Sequence, residues 1–181
     1  EQPIAGKAAD GRGQHGFIRR KAGGAEMTGG QEYRLPVFRM AGKRHADVTL
    51  FVDHAVARCE SRELFKTVLA DRARGVFQGK ILVKPGAQKT DGYQISQALL
   101  LDEDSQFLAK PELEIYADDV KCSHGTTTGQ LDETPLFYLM SRGIDPDSAR
   151  RLLLEAFLSD VLDKIPEEDI RAIFDKRVAA W

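Results

Sequence analysis

Val76-Phe-Gln-Gly-Lys-Ile-Leu-Val83, closed by Lys84-Pro-Gly86, decides how this chain is read. Eight residues rich in Val, Ile and Phe, ended by a Pro-Gly pair, describe a short strand running into a tight turn. The same unit recurs on both sides. Upstream lie Leu35-Pro-Val-Phe-Arg-Met40, Val48-Thr-Leu-Phe-Val52 and Leu64-Phe-Lys-Thr-Val-Leu69; downstream lie Tyr93-Gln-Ile-Ser-Gln-Ala-Leu-Leu-Leu101 and Glu112-Leu-Glu-Ile-Tyr116. Turn formers separate them: Asp71-Arg-Ala-Arg-Gly75, Thr90-Asp-Gly92 and Ala117-Asp-Asp119. Val48, Leu50 and Val52 share one face of a strand, as do Leu113 and Ile115. Ser61 to Ala70 also fits a helix, because Leu64, Val68 and Leu69 follow a 3.6-residue period. No long helical pattern interrupts the region from Tyr33 to Gln130. Many short strands with tight turns leave a sandwich, a barrel or a β-solenoid.

The flanks differ. Residues 1–30 hold eight of the sixteen glycines, with scattered Arg and Lys and almost no apolar periodicity. Such a segment buries too little surface to offset the entropy of ordering it, so a flexible lead-in without strand or helix is expected there. Residues 31–130 form the β segment, and residues 131–181 a helical domain. Asp132 is read as an N-cap, with Glu133 and Pro135 in the first turn. Leu136, Phe137, Leu139 and Met140 supply an apolar face, and Gly143 stands where a C′ glycine ends a helix. Asp145-Pro146 starts a second helix. Its stripe is Ala149, Leu152, Leu153, Ala156, Phe157, Leu158, Val161, Leu162 and Ile165. Pro166 opens a third, whose buried face is predicted to hold Ile170, Ile173, Phe174 and Val178. Three helices in about 50 residues bury little among themselves, so part of their apolar surface is free to dock a partner.

The totals narrow the function. A formal charge of −2 provides no net positive field for nucleic acid. No apolar run approaches the roughly 20 residues that cross a bilayer. Two cysteines, Cys59 and Cys122, are too few for a disulfide framework or a four-thiolate site, which points to a reduced, cytoplasmic chain.

The densest polar cluster is Asp118-Asp-Val-Lys-Cys-Ser-His-Gly-Thr-Thr-Thr-Gly-Gln-Leu-Asp132. Cys122 and His124 are two apart, so a strand turns both to one face, where thiolate and imidazole suit iron or zinc. Two ligands do not complete a site. The plainer alternative is that Cys122 packs as a small hydrophobe and His124 caps a turn. Asp118 and Asp119 point to opposite faces if extended and read as a solvated turn. Gly75-Val-Phe-Gln-Gly79 lacks the lysine of a phosphate-binding loop. Cys59, His54 and Glu60 form a looser group in which a core cysteine is the better reading.

Several strings resemble the SufB/SufD family: Ser61-Arg-Glu-Leu-Phe-Lys-Thr-Val-Leu69, Ala73-Arg-Gly-Val-Phe-Gln-Gly-Lys80, Gln88-Lys-Thr-Asp91, Lys110-Pro-Glu-Leu-Glu-Ile-Tyr-Ala-Asp-Asp-Val-Lys-Cys-Ser-His-Gly125, Gly129-Gln-Leu-Asp132 and Leu136-Phe-Tyr-Leu-Met-Ser-Arg-Gly-Ile144. They run in order from about Arg44 to Ile165, and Cys-Ser-His-Gly is more similar to the SufD form than to the SufB form. The resemblance implies a right-handed parallel β-helix, here partial, followed by a C-terminal α-helical domain. It implies a non-catalytic scaffold in iron–sulfur cluster assembly that meets a SufB-like subunit through the β-helix end and a SufC-like ATPase through the helices. By that pattern Cys122 and His124 fall at the SufB-facing interface near a transient iron–sulfur cluster, with none bound by the chain alone. Leu136, Phe137, Tyr138, Leu152, Leu153 and Phe157 fall in the SufC-facing region. A complete SufD has a longer β-helix and an N-terminal helical region, neither of which these residues display. Two other readings stand beside this one: a β-helix transferase or lyase using His124 with Asp118 or Asp119, and a metal-binding module using Cys122, His124 and Cys59.

Overall fold

Strands that pair in parallel without a register slip organise the chain. The computed structural model describes residues 14–22, 31–34, 36–165 and 168–179. The strands are β1 (Gln14–Ala22), β2 (Gln31–Arg34), β3 (Val37–Met40), β4 (His45–His54), β5 (Glu60–Leu69), β6 (Arg74–Val83), β7 (Asp91–Leu100), β8 (Gln106–Ile115) and β9 (Lys121–Gln130). They alternate between two sheets, ordered β1-β4-β6-β8 and β2-β5-β7-β9, with β3 also pairing β5. All pairs are parallel. Each coil therefore contributes one strand to either wall of a β-helix, and about three complete coils are stacked. Of the three architectures open to the strand pattern, this is the solenoid.

Two expectations change. Ser61 to Ala70 lies in strand β5 and its continuation, not a helix. Its apolar residues are dense because both faces are covered: one looks into the solenoid, and the other lies under a helix. Within residues 1–30, Gln14–Ala22 forms β1 and pairs along its whole length with β4. A strand poor in apolar residues forms there because its backbone groups find partners on a neighbouring strand, which composition does not reveal. The rest of that segment lies outside the described residues, as do Pro166 and Trp181.

Like positions stack one coil above another. The inner face of the first sheet is apolar: Leu50, Val52, Phe77, Ile81 and Val83 are buried together, with Val48, Phe107, Ala109 and Leu113 against them. Corners stack too. The Gly42 N–H donates to Asp71 Oδ2 at 2.7 Å, and the Asp71 N–H donates to Asp102 Oδ2 at 2.6 Å. Each carboxylate thus satisfies the turn of an adjoining coil. Pro36 lies between β2 and β3, and its carbonyl still accepts the Lys66 N–H at 3.1 Å.

Three helices follow: α1 (Glu133–Ser141), α2 (Pro146–Leu162) and α3 (Glu168–Ala179). Their caps are the expected ones. Asp132 accepts from the Thr134 N–H and Asp145 from the Ser148 N–H, while Gly143 takes a left-handed φ of 88° just beyond α1. Helix α2 lies on the outer face of the second sheet, where Leu158, Leu162 and Val178 close over Val68, with Val37, Leu99 and Phe157 at the margin. Lys66, buried on that face, reaches Asp160 at 3.0 Å and lies 4.3 Å above the Phe157 ring. The apolar stripes are less buried than expected. Helix α1 has no buried residue, and on α3 Ile170, Ile173 and Phe174 are exposed while Val178 alone of the expected four is buried. Short helices against one sheet can turn only one narrow face inward, and the rest of each stripe is left to solvent.

Candidate functional site at the end of the solenoid

The second sheet has an inner face unlike the first. Register places Ser61, Gly92 and Cys122 in one column and Glu63, Gln94 and His124 in the next, followed by Phe65, Ser96 and Thr126. Ser61, Glu63, Gln94 and Ser96 are fully buried. A polar strip therefore runs along the inside of the solenoid, facing an apolar wall, and ends at β9. No further strand pairs with β9 or β8 among the described residues. The inward-facing residues of β9 consequently form the mouth of the interior. His124 is exposed and Cys122 half-buried, although both share the inward face.

Around Gly92 three side chains converge. A β-carbon there would meet Cys122 Sγ at 3.3 Å, Ser61 Oγ at 3.5 Å and His54 Nε2 at 3.6 Å. His54 Nε2 and Ser61 Oγ are hydrogen-bonded at 3.0 Å, and His54 is fully buried. Burial pushes the Cys122 thiol up from its ordinary value. A Gly92 backbone hydrogen bond opposes this, and the Asp91 and Glu63 carboxylates add to the rise. Cys122 is thus turned down into the coil below, while His124 on the same strand reaches the opening. A low-pKa nucleophile needs the opposite surroundings.

One coil inward, Gln94 lies against a glycine of the facing wall. A β-carbon on Gly79 would fall 2.5 Å from Gln94 Oε1 and 2.6 Å from Phe77 Cζ, so only glycine admits both. Neither amide atom of Gln94 has a hydrogen-bond partner.

The remaining residues singled out from sequence are dispersed. Cys59 is buried, and its thiol donates to the Val56 carbonyl at 3.2 Å, as a core cysteine would. Asp118 and Asp119 form an exposed corner before β9. Asp119 pairs with Lys89 at 3.0 Å, and its N–H donates to Gln88 Oε1 at 2.9 Å. His124 lies beyond that corner, three residues or about 10 Å past Lys121, the first residue of β9. Among the described residues, no group of three His, Cys, Asp or Glu side chains is arranged to hold a metal ion. On the helices, Phe137, Tyr138 and Leu152 are exposed, with Phe137 the most open at 73%, whereas Leu136, Leu153 and Phe157 are half-buried. Sequence reasoning passed over Ser61, Glu63 and Gln94. The signal was the repeat of 31 and then 30 residues that carries Ser61 through Gly92 to Cys122 and Glu63 through Gln94 to His124, one coil per step.

Residues 31–157 match the family model of the SUF system FeS cluster assembly, SufBD core domain. This chain belongs to the SufBD family. It is 41% identical over 125 residues to the iron–sulfur cluster assembly protein SufD of Escherichia coli, covering 69% of this chain and 30% of the relative. A SufBD family protein of Synechocystis is 40% identical over 128 residues, 71% of this chain and 27% of the relative. The chloroplastic protein ABCI7 of Arabidopsis thaliana is 37% identical over 160 residues, 88% of this chain and 33% of the relative. The chain therefore spans about a third of the length of these relatives. The SufBD match covers the stacked coils from β2 onward, the whole polar strip, and α1 with most of α2.

Proposed function

We propose that this chain acts as a non-catalytic scaffold in iron–sulfur cluster assembly, presenting His124 at the mouth of its last coil to a SufB-like subunit. The carrying observation is that His124 stands at the open end of a polar interior, on a ten-residue strand whose outer edge has no partner strand among the described residues. Exposed strand edges of this length invite pairing with another chain. An imidazole at such a junction can lend one donor to a cluster held mainly by the other subunit, the cluster being cargo that is handed on. Cys122, withdrawn over Gly92, lies near enough to serve as a second donor only after turning outward.

The exposed side chains Phe137, Tyr138 and Leu152, with Leu136, Leu153 and Phe157 beside them, form the surface we assign to a SufC-like ATPase. A helix face of aromatic and aliphatic residues left open by the solenoid suits docking of a partner domain. Two free cysteines fit a reducing compartment, the cytoplasm being our reading. No helix among the described residues is long and apolar enough to cross a membrane.

Co-purification of the full chain with SufB-like and SufC-like subunits tests this. Wild type and His124→Ala should both assemble, because His124 contributes a donor and little contact area, but cluster formed on the His124→Ala complex should fall at least tenfold. Absence of any complex with the helices intact, or equal cluster yield in the two complexes, would remove the proposal's support.

A further inference from the structure

The role proposed for His124 requires its ring to be held with one nitrogen lone pair facing outward, and the coil beneath contains a residue suited to hold it. Gln94 is 0% exposed, and both Oε1 and Nε2 are without hydrogen-bond partners. Buried amides in folded proteins are nearly always paired, so this one calls for an explanation. Its neighbours in the column are Glu63 on one side and His124 on the other, each about 4.8 Å away between strands. Gly79 on the facing wall leaves the slot that the amide occupies.

We propose that Gln94 is a positioning residue for His124. Its Oε1 accepts the N–H of one imidazole nitrogen, which fixes the tautomer and directs the other nitrogen's lone pair to the mouth of the solenoid. The buried Glu63 carboxyl oxygens accept from the NH2 end of the amide, draw it downward and so turn Oε1 towards His124. Turned in this way from its place against Gly79, the amide joins carboxylate and imidazole in an axial stack. It resembles the outer-shell pairing by which ligand histidines are generally oriented. No bond is made or broken; the stack sets direction alone.

The measurement is made on the full chain without cluster or partner. Nitrogen-15 spectra of the histidine rings at about pH 8, where imidazole is ordinarily neutral, report the tautomer of His124. Gln94→Met keeps length and volume but offers no acceptor, and should change the His124 tautomer ratio about fivefold, the effect of one net hydrogen bond. Reciprocally, His124→Ala, at an exposed position, should shift the side-chain NH2 resonances of Gln94. An unchanged ratio in folded Gln94→Met, or unmoved Gln94 resonances in His124→Ala, overturns the proposal; if Gln94→Met fails to fold, the His124→Ala spectrum decides alone. These readouts involve no assembly. A failed complex with a shifted ratio would count against the scaffold reading only, and a formed complex with an unshifted ratio against Gln94 only.

Discussion

Cys122 lies directly over Gly92 on the adjacent strand, its Sγ 3.3 Å from the point that a β-carbon on that glycine would occupy. The thiol thereby takes the room that a side chain at residue 92 would otherwise fill, beside Ser61 and His54. Gly92→Ala should press the thiol outward by a few tenths of an ångström and cost about 1–2 kcal/mol through overpacking. Alkylation of Cys122 should quicken while buried Cys59 stays protected, a difference that peptide mass spectrometry resolves. Equal protection of Cys122 in both proteins would mean that the glycine is not what lets it withdraw.

The same withdrawal has a pH signature. Burial raises the Cys122 thiol pKa in the folded chain. A neutral thiol favoured by the fold stabilises it fully below the ordinary thiol pKa of about 8.5, and that contribution fades as pH rises through the elevated folded-state value. Alkylation of Cys122 in the native chain should therefore accelerate at a higher pH than it does in urea. Coincident profiles in the two conditions would contradict this.

Gly79 and Gln94 should behave as one unit. Gly79→Ala places a β-carbon 2.5 Å from Gln94 Oε1 and 2.6 Å from Phe77 Cζ, so both side chains must shift to admit it. A loss of about 2–3 kcal/mol is expected from urea unfolding. In Gln94→Ser the amide is gone, so adding Gly79→Ala should cost less than it does in wild type. A double-mutant cycle that proves additive would show that the two do not compete for the same space.

Lys66 and Asp160 tie helix α2 to the solenoid across 3.0 Å, with the lysine side chain 3% exposed and the aspartate 66%. Removing the aspartate strands a buried ammonium. Asp160→Ala should cost about 1–2 kcal/mol, less than a fully enclosed pair because solvent reaches the site from the aspartate side. Lys66→Met fits the apolar surroundings of Val68, Leu158 and Phe157 and should be near neutral. Equal losses in the two variants would show that the charges act separately from the docking of α2.

Much of the architecture was legible in the residues, because strands between turns and capped helices are both local signals. Val76–Val83 with its Pro-Gly turn falls in β6 with its boundary at Val83, and Asp132 and Asp145 cap α1 and α2. β9 offered no such pattern: Lys121 to Gln130 is polar on both faces, since the inner face of a last coil has no coil beyond it to reward apolar side chains. β1 was hidden for a related reason, its pairing with β4 being a property of the neighbour. At the site, the shared face of Cys122 and His124 followed from strand periodicity. Their different surroundings did not, because Gly92 and Gln94 lie 30 residues earlier and meet them only through the coil repeat. The exposure of Ile173 and Phe174 was likewise beyond helical periodicity, which identifies an apolar face but not whether anything covers it.

Strands that stack in unbroken register make this a structure of nearest neighbours, in which each coil contacts only the one above and the one below. Lengthening or shortening the stack at the β1 end leaves the terminal rung and its histidine in the same surroundings. The distance between that rung and whatever lies at the far end of a longer chain can thus drift by whole coils, about 4.8 Å at a time, while the business end keeps its shape.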